Sequence, residues 1–248
     1  MFESFKNKPR AAGALMCAVA LLSQASLSHA SLTLNATRVV FDSDKRSVSL
    51  VIANPSDKVF AVQSWVNTSA DDTTTVVPFV ASPPLFRINP GKEQQVQING
   101  LPNTLPKDRE SLFYFNAQEI PQVETDLTNV LNIAIRTRIK FFYRPAELKG
   151  NPGERLAELQ WSLQSAGGKS SLVVNNPTPF HYTFQRLEVT DGGRSKRIDN
   201  PAMAAPLSRE IYSLGDLKAG ADAKVSFTTI NDYGGITTPI TLPLRQGR

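Results

Sequence analysis

The 248 residues carry a formal charge of +5, one cysteine and two histidines. Cys17 and His29 fall within the first thirty residues, so residues 31–248 hold no thiol for a disulfide or thiolate metal site, and only His181 for a zinc site or catalytic triad. Setting aside Lys6, Lys8, Arg10 and Glu3 leaves 24 positive and 21 negative side chains, a net +3 too mild to argue for nucleic acid.

Residues 1–30 have the three parts of a secretory signal peptide: the cations Lys6, Lys8 and Arg10, the apolar run Ala11–Leu22, and Ser28-His29-Ala30 as a small-x-small cleavage site before Ser31. Cys17 sits inside the apolar run rather than after it, which argues against lipid attachment. No later apolar run approaches membrane-spanning length, so the expectation is an exported, soluble chain without membrane insertion. Residues 31–248 are long enough for two domains with their own cores.

Beyond the leader, β-type runs alternate with turn residues. Leu32–Phe41, Ser47–Ala53, Val59–Val66, Val76–Val80, Glu93–Ile98 and Ser111–Gln118 are broken by Asp42-Ser43-Asp44, Asn54-Pro55-Ser56-Asp57, Ser82-Pro83-Pro84, Asn89-Pro90-Gly91 and Pro102–Pro106. A seventh run, Asn129–Arg144, is about three times the usual strand length. Leu131, Ile133 and Ile135 share one parity there, with Asn132, Ala134 and Arg136 between them. A strand of that length outruns its sheet or lies at an edge, where unpaired backbone invites another chain. The exposed strand also gives the free protein a route to self-association. Seven strands at this spacing predict an immunoglobulin-like sandwich over residues 31–145.

Residues 146–153 have linker character. Leu156–Leu163, Ser170–Val174, His181–Val189, Ser208–Tyr212, Lys224–Ile230 and Ile236–Leu244 then predict a second sandwich over 154–248. The fold class is all-β, with two immunoglobulin-like domains.

Few residues offer chemistry. Gly167-Gly168-Lys169-Ser170 ends like a phosphate loop, but Leu163 stands where the first glycine belongs, and its flanks predict a hairpin turn. Arg194-Ser195-Lys196-Arg197 follows Asp191-Gly192-Gly193 and is expected to be a solvated hairpin flank. Glu110 and Asp232 each stand beside a strand near a turn; they form either a catalytic pair or, as the commoner outcome, ion-paired or surface carboxylates. Arg38 and Lys140 are cations on alternating strands, either surface decoration or a site for a carboxylate. No metal site, cofactor site or catalytic residue is assigned.

Several of these segments, in this order, resemble the periplasmic pilus-assembly chaperones of the PapD family. They are Thr37-Arg38-Val39-Val40-Phe41-Asp42, Ser82-Pro83-Pro84-Leu85-Phe86-Arg87-Ile88, the run from Leu105 to Asn116 with Ile120-Pro121, Asn129-Val130-Leu131, Arg138–Pro145, Val174–Pro179 and Ile230–Gly235. The resemblance implies two immunoglobulin-like domains in a boomerang, with a cleft between them and no enzyme activity. It implies that Arg38 and Lys140 anchor the C-terminal carboxylate of a pilus subunit. Leu131, Ile133 and Ile135 would fill the groove of that incomplete sandwich by strand donation, before delivery to an outer-membrane usher. Glu110, Arg144 and Asp232 match an interdomain ion network. The short Pro121–Thr128 loop resembles the branch that assembles rod-like pili, and Ala117 departs from the larger aliphatic expected there. The alternative, an exported two-domain adhesin or carbohydrate-binding module, leaves Arg38, Lys140 and the long strand without a purpose.

Overall fold

The computed structural model describes residues 32–72, 74–120, 133–166, 169–217, 219–220 and 222–246. The expected signal peptide, its cleavage site, the Pro121–Thr128 loop and Leu131 lie outside the described residues.

The first sandwich contains β1 (Thr33–Leu34), β2 (Arg38–Asp42), β3 (Ser47–Ala53), β4 (Phe60–Asn67), β5 (Phe79–Ser82), β6 (Leu85–Ile88), β7 (Glu93–Gly100), β8 (Ser111–Ile120) and β9 (Arg136–Arg144). Its sheets have the orders β1-β3-β7-β5 and β2-β9-β8-β4-β6. The second contains β10 (Gln160–Ala166), β11 (Lys169–Asn176), β12 (Phe184–Asp191), β13 (Arg194–Arg197), β14 (Ser208–Ser213), β15 (Lys224–Thr229), β16 (Ile240–Pro243) and β17 (Arg245–Gln246). These form sheets β14-β11-β10-β17 and β13-β12-β15-β16. The chain is therefore all-β, built as two immunoglobulin-like sandwiches.

Alternation puts one row of each strand into a core. Phe41, Phe79, Phe113 and Phe141 pack together in the first, with ring centroids 4.7–6.4 Å apart. Trp161, Phe184 and Phe227 form the centre of the second. In β9 the inward row includes Ile139 and Phe141, so Arg138, Lys140, Phe142 and Arg144 share the outer face.

Several runs differ from expectation. Leu32–Phe41 is two strands, because β1 pairs antiparallel with β3 while β2 crosses to the other sheet and pairs parallel with β9. Asn35 holds the crossing point: its N–H donates to the Val51 carbonyl (3.1 Å) and its Oδ1 accepts the Val51 N–H (2.9 Å). Alternation alone does not reveal a change of sheet. The long run is also shorter as a strand, since β9 begins at Arg136 and Ile133–Ile135 precede it. It is an edge only in part: among the described residues β2 covers β9 from Lys140 to Arg144, leaving Arg136–Ile139 paired on one side by β8.

Leu85–Ile88, read only as part of a motif, is a strand on β4. Leu156–Glu158 forms a 3-10 turn rather than the start of β10, with Leu156 and Leu159 buried and Arg155 paired to Glu158. Arg194–Arg197 is the exposed outer strand of a hairpin whose turn residues Gly192 and Gly193 have φ of 54° and 80°, as a type I′ turn requires. Arg245–Gln246, too short to interpret from sequence, adds to β10 in parallel.

Candidate functional site: a paired-cation cleft between two sandwiches

Arg144 ends β9, and the domains meet around it. Its Nε donates to Glu110 Oε1 at 2.8 Å, while Nη1 and Nη2 donate to Asp232 Oδ2 and Oδ1 at 2.7 and 3.0 Å. Glu110 stands just before β8 and Asp232 in the turn after β15, so one guanidinium joins a carboxylate from each domain. The Glu110 side chain is 1 % exposed and that of Asp232 31 %. Burial works against the Arg144 charge, but the Asp232 hydrogen bonds and the two carboxylate charges outweigh it and raise its pKa above the ordinary arginine value.

Glu110 is held from the second domain as well. Its Oε2 accepts the His181 N–H at 2.8 Å and lies 3.1 Å from His181 Nδ1, and its own N–H donates to the Pro179 carbonyl at 2.9 Å. The His181 ring packs against Phe142, with centroids 5.4 Å apart. Both carboxylates of the imagined catalytic pair are thus engaged by one arginine.

Arg38 and Lys140 are direct register partners on β2 and β9, so their side chains stand together on the outer face. Arg38 is 9 % exposed; its Nη1 donates to the Ile230 carbonyl at 2.8 Å, and its buried Nε has no hydrogen-bond partner among the described residues. Lys140 Nζ donates to Thr183 Oγ1 at 2.9 Å. Among the described residues, neither cation makes an ion pair within 4 Å. Burial and the Arg38 charge push the Lys140 pKa down to about 8. Burial likewise lowers that of Arg38, against the opposing pull of Asp232 and Glu110. Two adjacent, partly desolvated cations held by neutral oxygens form a place for an anion.

A cavity of about 300 Å3 opens here, with Arg38, Glu110, Arg144, His181, Asp232 and Tyr233 among its walls. Lys140 is not on that wall; it stands beside Arg38 on the neighbouring strand. Among the described residues no group of three or more His, Cys, Asp or Glu side chains converges as a metal site. Ile133 and Ile135 lie elsewhere, before the free half of β9, at 65 % and 44 % exposure. The resemblance, not the residue pattern, grouped Glu110, Arg144 and Asp232, which hydrogen-bond to one another here, and neither route pointed to the contacts of His181, Thr183 and Phe142. His181 carried a signal, being the sole histidine beyond residue 30. Thr183 carried none.

Over residues 31–149 the chain matches the family model for the pili and flagellar-assembly chaperone, PapD N-terminal domain, and over 154–241 that for the pili assembly chaperone PapD, C-terminal domain. The chain belongs to the PapD family of pilus-assembly chaperones, whose members are chaperones and not enzymes. It is 40% identical over 230 residues to the probable fimbrial chaperone YadV of Escherichia coli strain K12, covering 89% of this chain and 93% of that protein. It is 37% identical over 234 residues to the chaperone protein FimB/FhaD of Bordetella pertussis, covering 90% and 93%. Among solved structures, the YadV chaperone superposes with a TM-score of 0.74 at 38% identity, over 85% of this chain and 99% of that one. The Salmonella enterica SafA pilin in complex with the SafB chaperone matches with a TM-score of 0.74 at 29% identity, over 86% and 96%.

Proposed function

We propose that this chain is an ATP-independent periplasmic chaperone that captures pilus subunits and passes them to an outer-membrane usher. Arg38 and Lys140 hold the subunit's C-terminal carboxylate. Leu131, Ile133 and Ile135, ahead of β9, lend an apolar row to the subunit's open groove, and main-chain hydrogen bonds fix the register. The network of Glu110, Arg144 and Asp232 orients the second domain across the cleft. The observation that carries this reading is the pair Arg38 and Lys140, side by side in register and bonded only to Ile230 and Thr183 oxygens among the described residues. A carboxylate supplies the missing negative charge. The SafA–SafB pilin–chaperone complex supports a subunit as the carboxylate's source.

Arg38→Ala and Lys140→Ala test it. Each removes one of two partners from a buried carboxylate, a loss of about 2–5 kcal/mol, or about 30-fold or more in affinity. Titration calorimetry with a purified subunit is the measurement, and undiminished binding by folded variants overturns the anchor.

The pH dependence follows from Lys140. Free Lys140 loses its proton near pH 8, so above that pH the carboxylate binds together with a proton. Affinity is expected to stay level from about pH 6 to 7 and to fall by up to about tenfold per unit above 8. Stability of the free protein runs the other way. An unfolded lysine titrates at 10.5, so from 8 to 10.5 the unfolded chain binds more protons and this contribution to stability rises with pH. Lys140→Arg, always charged, is expected to flatten the binding profile.

A further inference from the structure

The loop after β4 folds back over the outer face of the first sandwich and grips the start of β9. Asp71 is its centre: the backbone there turns at φ of +58°, uncommon for a residue other than glycine, and the residue is half-buried. Arg136 reaches it through two hydrogen bonds, Nη1 to Oδ1 at 3.2 Å and Nη2 to Oδ2. Arg138 Nε stands 3.7 Å from Asp71 Oδ1, its Nη2 donates to the Thr68 carbonyl at 2.7 Å, and its guanidinium lies 3.8 Å over the Tyr114 ring. Asn67 Nδ2 donates to Asp71 Oδ1 at 2.7 Å and Asn116 Nδ2 to Asn67 Oδ1 at 3.0 Å, so the chain of bonds runs from β8 through β4 into the loop. The Arg136 and Asn67 hydrogen bonds hold the Asp71 carboxyl below the usual aspartate range. Asp72 closes the far side of the loop, its Oδ1 accepting the N–H groups of Thr74 and Thr75 at 3.0 and 2.6 Å.

This grip falls on the half of β9 that lacks other support. Arg136–Ile139 has β8 on one side and, among the described residues, no strand on the other, so its backbone is open to fraying. Ile133 and Ile135 lead into that end. The arginines that Asp71 holds stand on the outer face, which leaves the free edge and the inward row clear. We propose that Asp71 is a positioning residue for strand donation. Acting through Arg136 and Arg138, it holds the first half of β9 extended and in register, so that the apolar row ahead of it meets a subunit already ordered. The role rests on the reading of Leu131, Ile133 and Ile135 as donor residues. Asp71 does not touch the subunit in this arrangement; it removes part of the ordering that binding would otherwise require.

The test compares wild type with Asp71→Ala and Asp71→Asn, first as free proteins and then with a purified subunit. In the free variants, backbone amide exchange over residues 133–139 is expected to run about tenfold faster, while the urea midpoint and exchange in the second domain stay at wild-type values. A purely stabilising residue would move the midpoint instead. Subunit affinity by titration calorimetry is expected to fall about tenfold, because binding must then order the segment itself. In an Arg136→Ala/Arg138→Ala background, adding Asp71→Ala should lower affinity no further. Unchanged exchange over 133–139, a lowered midpoint without a local change, or undiminished affinity overturns the positioning role. A further loss in the arginine-free background overturns it in favour of direct contact between Asp71 and the subunit. Ile133→Asp separates this role from the reading beneath it. If that variant binds as wild type, strand donation fails and the positioning role falls with it; if it loses binding while Asp71→Ala does not, only the positioning role falls.

Discussion

Arg144→Ala is expected to lower stability by about 3 kcal/mol and to loosen one domain against the other. The figure sits at the low end for a broken buried pair because the two carboxylates differ. Glu110 is 1 % exposed and would be left with only the His181 contacts, whereas Asp232, at 31 %, can take up water. For a chain of this size the melting temperature should drop by roughly 6–12 °C. The double variant Arg144→Ala/Glu110→Ala should recover part of the loss, since it no longer leaves a buried carboxylate unpaired. Urea unfolding measures the first effect and small-angle scattering the second. An unchanged unfolding midpoint and scattering profile would mean that the domains are oriented by other contacts. The consequence for binding is indirect: Arg38 and Lys140 each reach across the cleft to Ile230 and Thr183, so a loosened second domain also frees the anchor cations.

What the sequence made legible was local. Alternation put Leu131, Ile133 and Ile135 in one row, and turn residues marked most breaks, because face and turn chemistry are set by neighbouring residues. Pairing between distant strands was not legible. The strand containing Arg38 joins β9 in parallel after leaving another sheet, and nothing in Leu32–Phe41 marks the crossing except Asn35, which looks like any polar strand residue. That pairing is nevertheless what sets Arg38 beside Lys140. The motifs carrying the family resemblance named Arg38, Lys140, Glu110, Arg144 and Asp232 together, although period-2 patterning treated them as isolated charges. Thr183 escaped both routes, because a hydroxyl that accepts one lysine hydrogen bond leaves no trace in composition or spacing. His181 was visible as a residue but not as a partner of Glu110, since its role depends on how the second domain is placed.

Ile133→Asp is expected to abolish subunit capture while leaving the chaperone folded. Ile133 and Ile135 have the same parity as Ile139 and Phe141, which face the first core. That apolar row therefore continues outward from the core, to residues 65 % and 44 % exposed. The backbone is held over part of this reach, as the Ile135 carbonyl accepts the Glu119 N–H at 2.9 Å. An aspartate at 133 would stay hydrated in the free protein, where exposed positions usually change stability by less than about 0.5 kcal/mol. In an apolar groove closed by a subunit it would have to lose that water or its charge, at a cost of several kcal/mol. A cost of about 3 kcal/mol lowers affinity by more than about 100-fold. Ala134→Asp, on the opposite parity, should bind nearly as wild type. The measurement pairs thermal unfolding of each variant with co-purification of a subunit. If Ile133→Asp unfolds the free chaperone, or captures subunits normally, the row is not a donor; if Ala134→Asp blocks capture instead, the partner lies against the other face.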